Sequence, residues 1–233
     1  MKRARAPFGL QPAHCWLLSF LVLSLWACGE PQGEVEVQGL KQVRRNRTLI
    51  MDCVDYNNCA GQIRDYASFN PYVPNQASRT GYQFEYEPLY FYNVYGAQDT
   101  LIPWIAQSHQ YNADYTEVRV KIRPGVKWSD GVGWTAHDLV FTINMLKDHA
   151  PALMFSTDMK NWVKEAVAED DLTARITLRA PNPRFLFSYF AHCFSNGVPI
   201  VPKHIWEGQD PETFTNFDME RNWPVVSGPY RLA

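Results

Sequence analysis

Residues 117–146 read E-V-R-V-K-I-R-P-G-V-K-W-S-D-G-V-G-W-T-A-H-D-L-V-F-T-I-N-M-L, and this stretch decides the fold. Val118, Val120 and Ile122 alternate with Glu117, Arg119 and Lys121, the period-2 pattern that sets one strand face on a core and the other in water. Arg123-Pro124-Gly125 turns the chain: proline presets φ at the first corner and glycine accepts the positive φ of the second, as in a type II turn. Ser129-Asp130-Gly131 makes another turn. Thr135 with Asp138 three residues on forms a capping box, and Leu139, Ile143 and Leu146 follow at helical spacing, which predicts a helix of about three turns starting near Ala136.

Outward from this stretch, Asn112-Ala113-Asp114-Tyr115-Thr116 supplies the turn into the strand, and Leu101–Ala106 reads L-I-P-W-I-A. Further upstream come Phe69-Asn70-Pro71-Tyr72, a loop through Asn75, Arg79 and Gly81, and a segment 84–92 containing Glu87-Pro88-Leu89 that is read as a helix starting near the proline. A first strand is expected at Thr48–Met51. Downstream, Val163–Ala168 and Leu172–Leu178 flank Glu169-Asp170-Asp171 as a hairpin with one wet face. Ala180-Pro181-Asn182-Pro183 stops it, and a short aromatic helix is expected over Arg184–Phe190. Val198–Trp206 (V-P-I-V-P-K-H-I-W) and Ser227-Gly228-Pro229-Tyr230 close the sequence.

Taken together, K-W-S-D-G with T-A-H-D-L, N-P-Y, E-P-L, P-W-I-A, P-K-H-I-W and S-G-P-Y resemble the family 5 extracytoplasmic solute-binding proteins, the peptide, nickel and oligosaccharide receptors of ABC importers. The chain departs from that pattern at Gly133-Trp134, where the family usually has Pro and an apolar residue, and at His137, where an acidic residue is common. The resemblance implies an α/β, periplasmic-binding-protein-like fold of the type II, large three-domain class, with mixed sheets and flanking helices. It implies capture of a solute by hinge closure and delivery to ABC permease subunits, with no covalent step and no cofactor. Because family members are more than twice this length, residues 47–233 are read as the N-terminal portion of the solute-binding domain, the second lobe being absent from this chain.

The amino terminus fits an exported protein. Lys2, Arg3 and Arg5 precede an apolar run from Trp16 to Trp26, too short to span a bilayer. Leu25-Trp26-Ala27-Cys28 resembles a lipobox, with Trp26 bulkier than the pattern prefers. Residues 1–27 are read as a lipoprotein signal peptide, Cys28 as the lipidated residue that anchors the chain to a membrane, and residues 28–46 as a tether; plain secretory cleavage is the rival reading. The expected place is the periplasm or cell surface. Removing residues 1–27, which hold three basic and no acidic side chains, leaves 19 basic against 24 acidic groups. That balance argues against nucleic acid as a partner. Cys53 and Cys59 are near enough in sequence to pair in an oxidising compartment, while buried thiols are the other reading.

No catalytic or metal motif is present: there is no G-x-S-x-G, P-loop, G-x-G-x-x-G or H-E-x-x-H. Asp130 and Asp138 are explained by a turn and a cap. His109, His137, His149, His192 and His204 lack metal-ligand spacing, so neither a metal nor a catalytic residue is assigned. Aromatics make up 14% of the chain, with eight Trp and twelve Tyr, and such rings either stack on ligands or fill cores. Trp104, Trp128, Trp206 and Tyr230 are read as packing residues. Asn70, Tyr72, Gln76, Arg79 and Trp223, in loops near strand ends, are the candidate ligand contacts, with solvated loop residues as the alternative for each. Peptide and oligosaccharide stand level as cargo; a secreted glycosidase-like enzyme with an aromatic cleft, or a scaffolding lipoprotein, are the competing classes.

Overall fold

The computed structural model describes residues 68–74, 85–93, 95, 101–192 and 197–230, all within a compact unit spanning Met51–Leu232. The described elements follow in the order β1 (Tyr90–Tyr92), β2 (Leu101–Pro103), β3 (Ala106–Tyr111), β4 (Glu117–Ile122), α1 (Ala136–Asp148), α2 (Ser156–Trp162), β5 (Val163–Asp170), β6 (Thr173–Leu178), α3 (Phe185–Phe190), β7 (Ala191–His192) and α4 (Lys203–Trp206). The expected strand at Thr48–Met51 and the cysteines Cys28, Cys53, Cys59 and Cys193 lie outside the described residues.

The alternation in β4 works as read. Val118, Val120 and Ile122 are buried, and the antiparallel register sets Val118 opposite Ile176 and Val120 opposite Ala174. The sheet runs β3-β4-β6-β5, and α1 covers its β5 and β6 side with Leu139, Ile143 and Leu146 buried. On the wet face Arg119 meets Glu117 at 2.6 Å and Glu169 at 3.1 Å, while Arg175 meets Glu165 and Glu169, both at 3.3 Å. Exposed pairs of this kind add little stability each; they keep the strand faces sorted. The hairpin turns at Asp171-Leu172, where the Asp170 carboxylate accepts from Leu172 N–H at 2.8 Å.

Gly125 sits at φ +82° and Gly131 at φ +93°, the left-handed corners their turns require. The Ser129-Asp130-Gly131 turn does more than reverse the chain. Ser129 N–H donates to Val226 O at 2.8 Å, Val226 N–H donates to Ser129 Oγ at 3.0 Å, and Asp130 Oδ2 lies 2.7 Å from His204 Nε2. Trp134, one of the two departures from the family pattern, stacks on Trp128 with centroids 6.0 Å apart, both rings buried. His137, the other, faces Asp171 at 3.3 Å.

At the start of α1, Asp138 Oδ2 accepts from Thr135 N–H at 2.8 Å and Oδ1 from Lys203 N–H at 2.8 Å. One buried carboxylate therefore caps α1 and fixes the entry to α4. Removing it strands two main-chain donors, so Asp138→Ala is expected to destabilise by about 2 kcal/mol. Urea unfolding checks this, and a loss below about 0.5 kcal/mol would show that water replaces the carboxylate.

The E-P-L segment corrects the sequence reading: Tyr90–Tyr92 is a strand, not part of a helix. It runs antiparallel to β2, with Tyr90 opposite Pro103 and Tyr92 opposite Leu101, and parallel to β7. Leu89 O accepts from both Trp104 N–H (3.0 Å) and Ala106 N–H (3.1 Å). An aromatic run suits a pleated surface, and Pro88 removes a helical donor, so sheet bonds to distant residues prevail over local helix formation. The aromatic helix near residue 184 forms as read, over Phe185–Phe190.

Candidate functional site

Asn70 organises the region where the candidate residues meet. Its carboxamide oxygen accepts from Tyr72 N–H at 3.0 Å, and its nitrogen donates to Pro211 O at 2.9 Å and Phe214 O at 3.1 Å. Both Asn70 and Tyr72 are wholly buried, and the Tyr72 hydroxyl donates to Pro199 O. Burial holds the Tyr72 phenol well above its ordinary pKa. Asn216 adds a second seam: its N–H donates to Ser68 O at 2.7 Å, and its side-chain nitrogen reaches Phe69 O at 3.1 Å and the Tyr86 hydroxyl at 3.0 Å. Residues 68–72 are thus stitched to residues 199–216 through main-chain partners.

From this seam a line of edge-to-face rings runs outward. Tyr72 meets Trp206 at 5.9 Å, Trp206 meets Phe214 at 4.8 Å, and Phe214 meets Trp223 at 5.6 Å. The Arg221 guanidinium lies 5.2 Å from the half-buried Trp223 ring. A tight loop presents both: Asp218 accepts from Glu220 N–H and Arg221 N–H, and Trp223 N–H returns to Asp218 O at 2.8 Å. Phe69 at φ +43° and Asn222 at φ +56° immediately precede Asn70 and Trp223. Left-handed backbone at a phenylalanine is uncommon and tends to be retained where the surroundings fix it.

Three of the five candidate residues therefore converge. Asn70 and Tyr72 support the node from inside, with their polar groups spent on main chain, and Trp223 carries its partly open ring. Gln76 and Arg79 lie outside the described residues.

Sequence reasoning missed three groups. Trp104, read as packing, is 47% exposed; Trp128 and Trp206, read the same way, are buried. His109 links the two sheets, its Nδ1 lying 3.2 Å from the Tyr90 hydroxyl and the rings meeting at 5.2 Å and 88°. Burial lowers the His109 pKa. Glu85 is pushed up to about 7 by burial, and its carbonyl accepts from Ser227 N–H and Gly228 N–H at 3.0 and 2.7 Å. The only sequence signal for Glu85 was its setting among aromatics in F-E-Y-E-P-L. His149 pairs with Glu212 at 3.0 Å, and among the described residues no group of three His, Cys, Asp or Glu is placed to hold a metal ion. No helix among the described residues is long and apolar enough to cross a membrane.

The chain belongs to the bacterial extracellular solute-binding proteins, family 5, whose middle-region profile matches residues 100–233. A relative from Agrobacterium fabrum, the probable peptide-binding protein YejA, is 33% identical over 133 residues, covering 55% of this chain and 20% of the relative. The mannohexaose-bound periplasmic oligopeptide-binding protein of an ABC transporter from Thermotoga maritima is 31% identical with a TM-score of 0.51, covering 64% of this chain and 26% of that one. MoaA from A. tumefaciens R10, solved with mannopinic acid, is 27% identical with a TM-score of 0.57, covering 72% and 32%. The fold is that of the periplasmic binding proteins, and these relatives are binding proteins rather than enzymes. This chain spans about a fifth to a third of their length.

Proposed function

We propose that this chain supplies the capturing scaffold of a lipid-anchored, extracytoplasmic binding protein that delivers a peptide or oligosaccharide to the permease subunits of an ABC importer. The observation that carries the reading is the family match over residues 100–233 together with the node that ties residues 68–72 to residues 199–223. In this reading residues 1–27 are a signal peptide, Cys28 is acylated, residues 28–46 form the tether, and residues 47–233 belong to the solute-binding portion. Trp223, Gln76 and Arg79 contact the solute, while Asn70 and Tyr72 brace residues 68–72 against residues 199–216.

Capture works by closure: a solute that contacts both walls of a cleft stabilises the closed state by the difference between its affinities for closed and open forms. Cargo of either class is supported by relatives, one named for peptide binding and one holding mannohexaose. A thermal-shift screen against oligopeptides and oligosaccharides tests the reading. A solute present at 100 times its Kd stabilises the folded state by about 2.7 kcal/mol and raises Tm accordingly. No shift with any solute would remove it. The anchor is tested separately: Cys28→Ser expressed in a bacterial host is expected to lose the acyl chain, and unchanged acyl labelling would contradict the assignment.

A further inference from the structure

The open end of the β5–β6 hairpin, where α2 runs directly into β5, gathers four basic side chains, those of Lys147, Lys160, Lys164 and Arg179. Lys160 and Lys164 lie on either side of Trp162 in K-N-W-V-K, and both are exposed. Lys147, in the last turn of α1, donates from Nζ to Lys164 O at 3.0 Å, and Arg179, just beyond β6, donates from Nε to Lys160 O at 3.1 Å. Two long side chains from separate elements thus bracket residues 160–164 and bring their charges up to the two lysines already there. Among the described residues none of the four has a carboxylate partner, whereas Arg119, Arg175, Lys203 and Arg221 each do. Of the nearby acids, Glu165 is paired with Arg175 at 3.3 Å and Glu212 with His149 at 3.0 Å. Asp148 and Asp158 remain and leave a local excess of positive charge.

At the other end of the hairpin the sign reverses. Glu169, Asp170 and Asp171 lie at the turn, the Asp171 side chain 83% exposed. A strand as long as β5, with its eight residues, sets the two ends about 25 Å apart. That exceeds the Debye length of about 8 Å, so an anionic surface attracts the basic end without being repelled by the acidic one. The whole chain carries a net charge of −2, and attraction of this kind is therefore local. The composition of the patch narrows the partner. Lysine is depleted from protein–protein interfaces, which rely on buried aromatic and Arg anchors in fitted pockets. Lysines around a half-buried indole suit a bilayer instead: ammonium groups meet headgroup phosphates as mobile point charges, and the amphipathic ring sits at headgroup level.

We propose that this end of the domain is an electrostatic docking surface for an anionic phospholipid bilayer, with Lys147, Lys160, Lys164 and Arg179 against the headgroup phosphates and Trp162 between them. The surface is separate from the node built on Asn70 and serves whichever solute is captured.

The test is a lysine footprint. The purified full chain is mixed with vesicles of phosphatidylcholine alone, or of equal parts phosphatidylcholine and phosphatidylglycerol, acetylated briefly and digested for mass spectrometry. Lys147, Lys160 and Lys164 are expected to be protected on the phosphatidylglycerol vesicles and not on phosphatidylcholine, while Lys121 and Lys127, exposed elsewhere, react equally on both. Salt at about 1 M, where the Debye length falls to about 3 Å, is expected to abolish the difference. Lys160→Gln/Lys164→Gln, which alters only exposed side chains, is expected to weaken the contact about thirtyfold, read as lost protection of Lys147. Lys121→Gln/Lys127→Gln should leave that protection in place. Protection of Lys121 and Lys127 equal to that of the patch, or protection that is the same on both vesicles, overturns the proposal. Protection on neither also overturns it and leaves the patch to an acidic protein. The thermal-shift screen for solutes is unaffected by each of these results, so failure of the docking surface and failure of solute capture are read separately.

Discussion

Asn70→Ala is expected to lower stability by about 4 kcal/mol, a large fraction of what a single domain possesses. The side chain makes three hydrogen bonds, all to main-chain groups, and two of them cross more than 140 residues of sequence. Each is worth about 1 kcal/mol when both partners can otherwise reach water. Here the site is fully buried, so the Pro211 and Phe214 carbonyls and the Tyr72 N–H are left unsatisfied, and each adds a further desolvation cost. Asn70→Asp retains the acceptor for Tyr72 but loses both donors and turns a carboxylate toward two carbonyls, so it should be no better tolerated. Urea unfolding measures both. A stable Asn70→Ala protein that has lost only ligand affinity would mean that Asn70 touches the solute and is not a support.

The second large effect is a pH dependence seated at Glu85. Its folded pKa is raised from 4.5 to about 7 by burial, so the fold favours the neutral acid. The stability gained from that neutral form is fully present below about pH 4.5 and is lost as pH rises through about 7, a change of about 3 kcal/mol. Glu85→Gln keeps the shape and cannot ionise. It is therefore expected to match wild type near pH 4.5 and to exceed it by up to about 3 kcal/mol at pH 8.5. His109 acts with the opposite sign: its folded pKa is lowered, so its contribution is present above about 6.5 and lost as pH falls through its folded value. Unfolding midpoints of wild type and Glu85→Gln from pH 4 to 9 distinguish the two. Parallel curves for the two proteins would show that the Glu85 carboxyl reaches solvent.

Residues 117–146 were legible because everything they need is local: the alternation, both turn glycines and the cap of α1 are set within thirty residues, and the hairpin β5–β6 follows the same logic. Tyr90–Tyr92 was misread because its partners, Leu101–Pro103 and Ala191-His192, are chosen by the fold; an aromatic run after a proline is compatible with either structure when taken alone. Asn70 and Tyr72 were noticed for their position in a loop, yet what defines them is burial beneath Pro211, Phe214 and Pro199. Trp104 shows the reverse error. It lies in a motif whose neighbours Ile105 and Ala106 are buried, and nothing in the sequence marks that the chain turns its ring outward.

The central claim is that this scaffold holds a solute without altering it. It is tested most directly by incubating the protein with a mixture of hexasaccharides and oligopeptides, removing unbound solute by gel filtration, denaturing the protein and weighing what is released by mass spectrometry. The account predicts one class of solute, recovered at its original mass. Shortened sugars or peptides would contradict it by revealing an enzyme, and the release of no solute at all would contradict it by removing the capture on which the account rests.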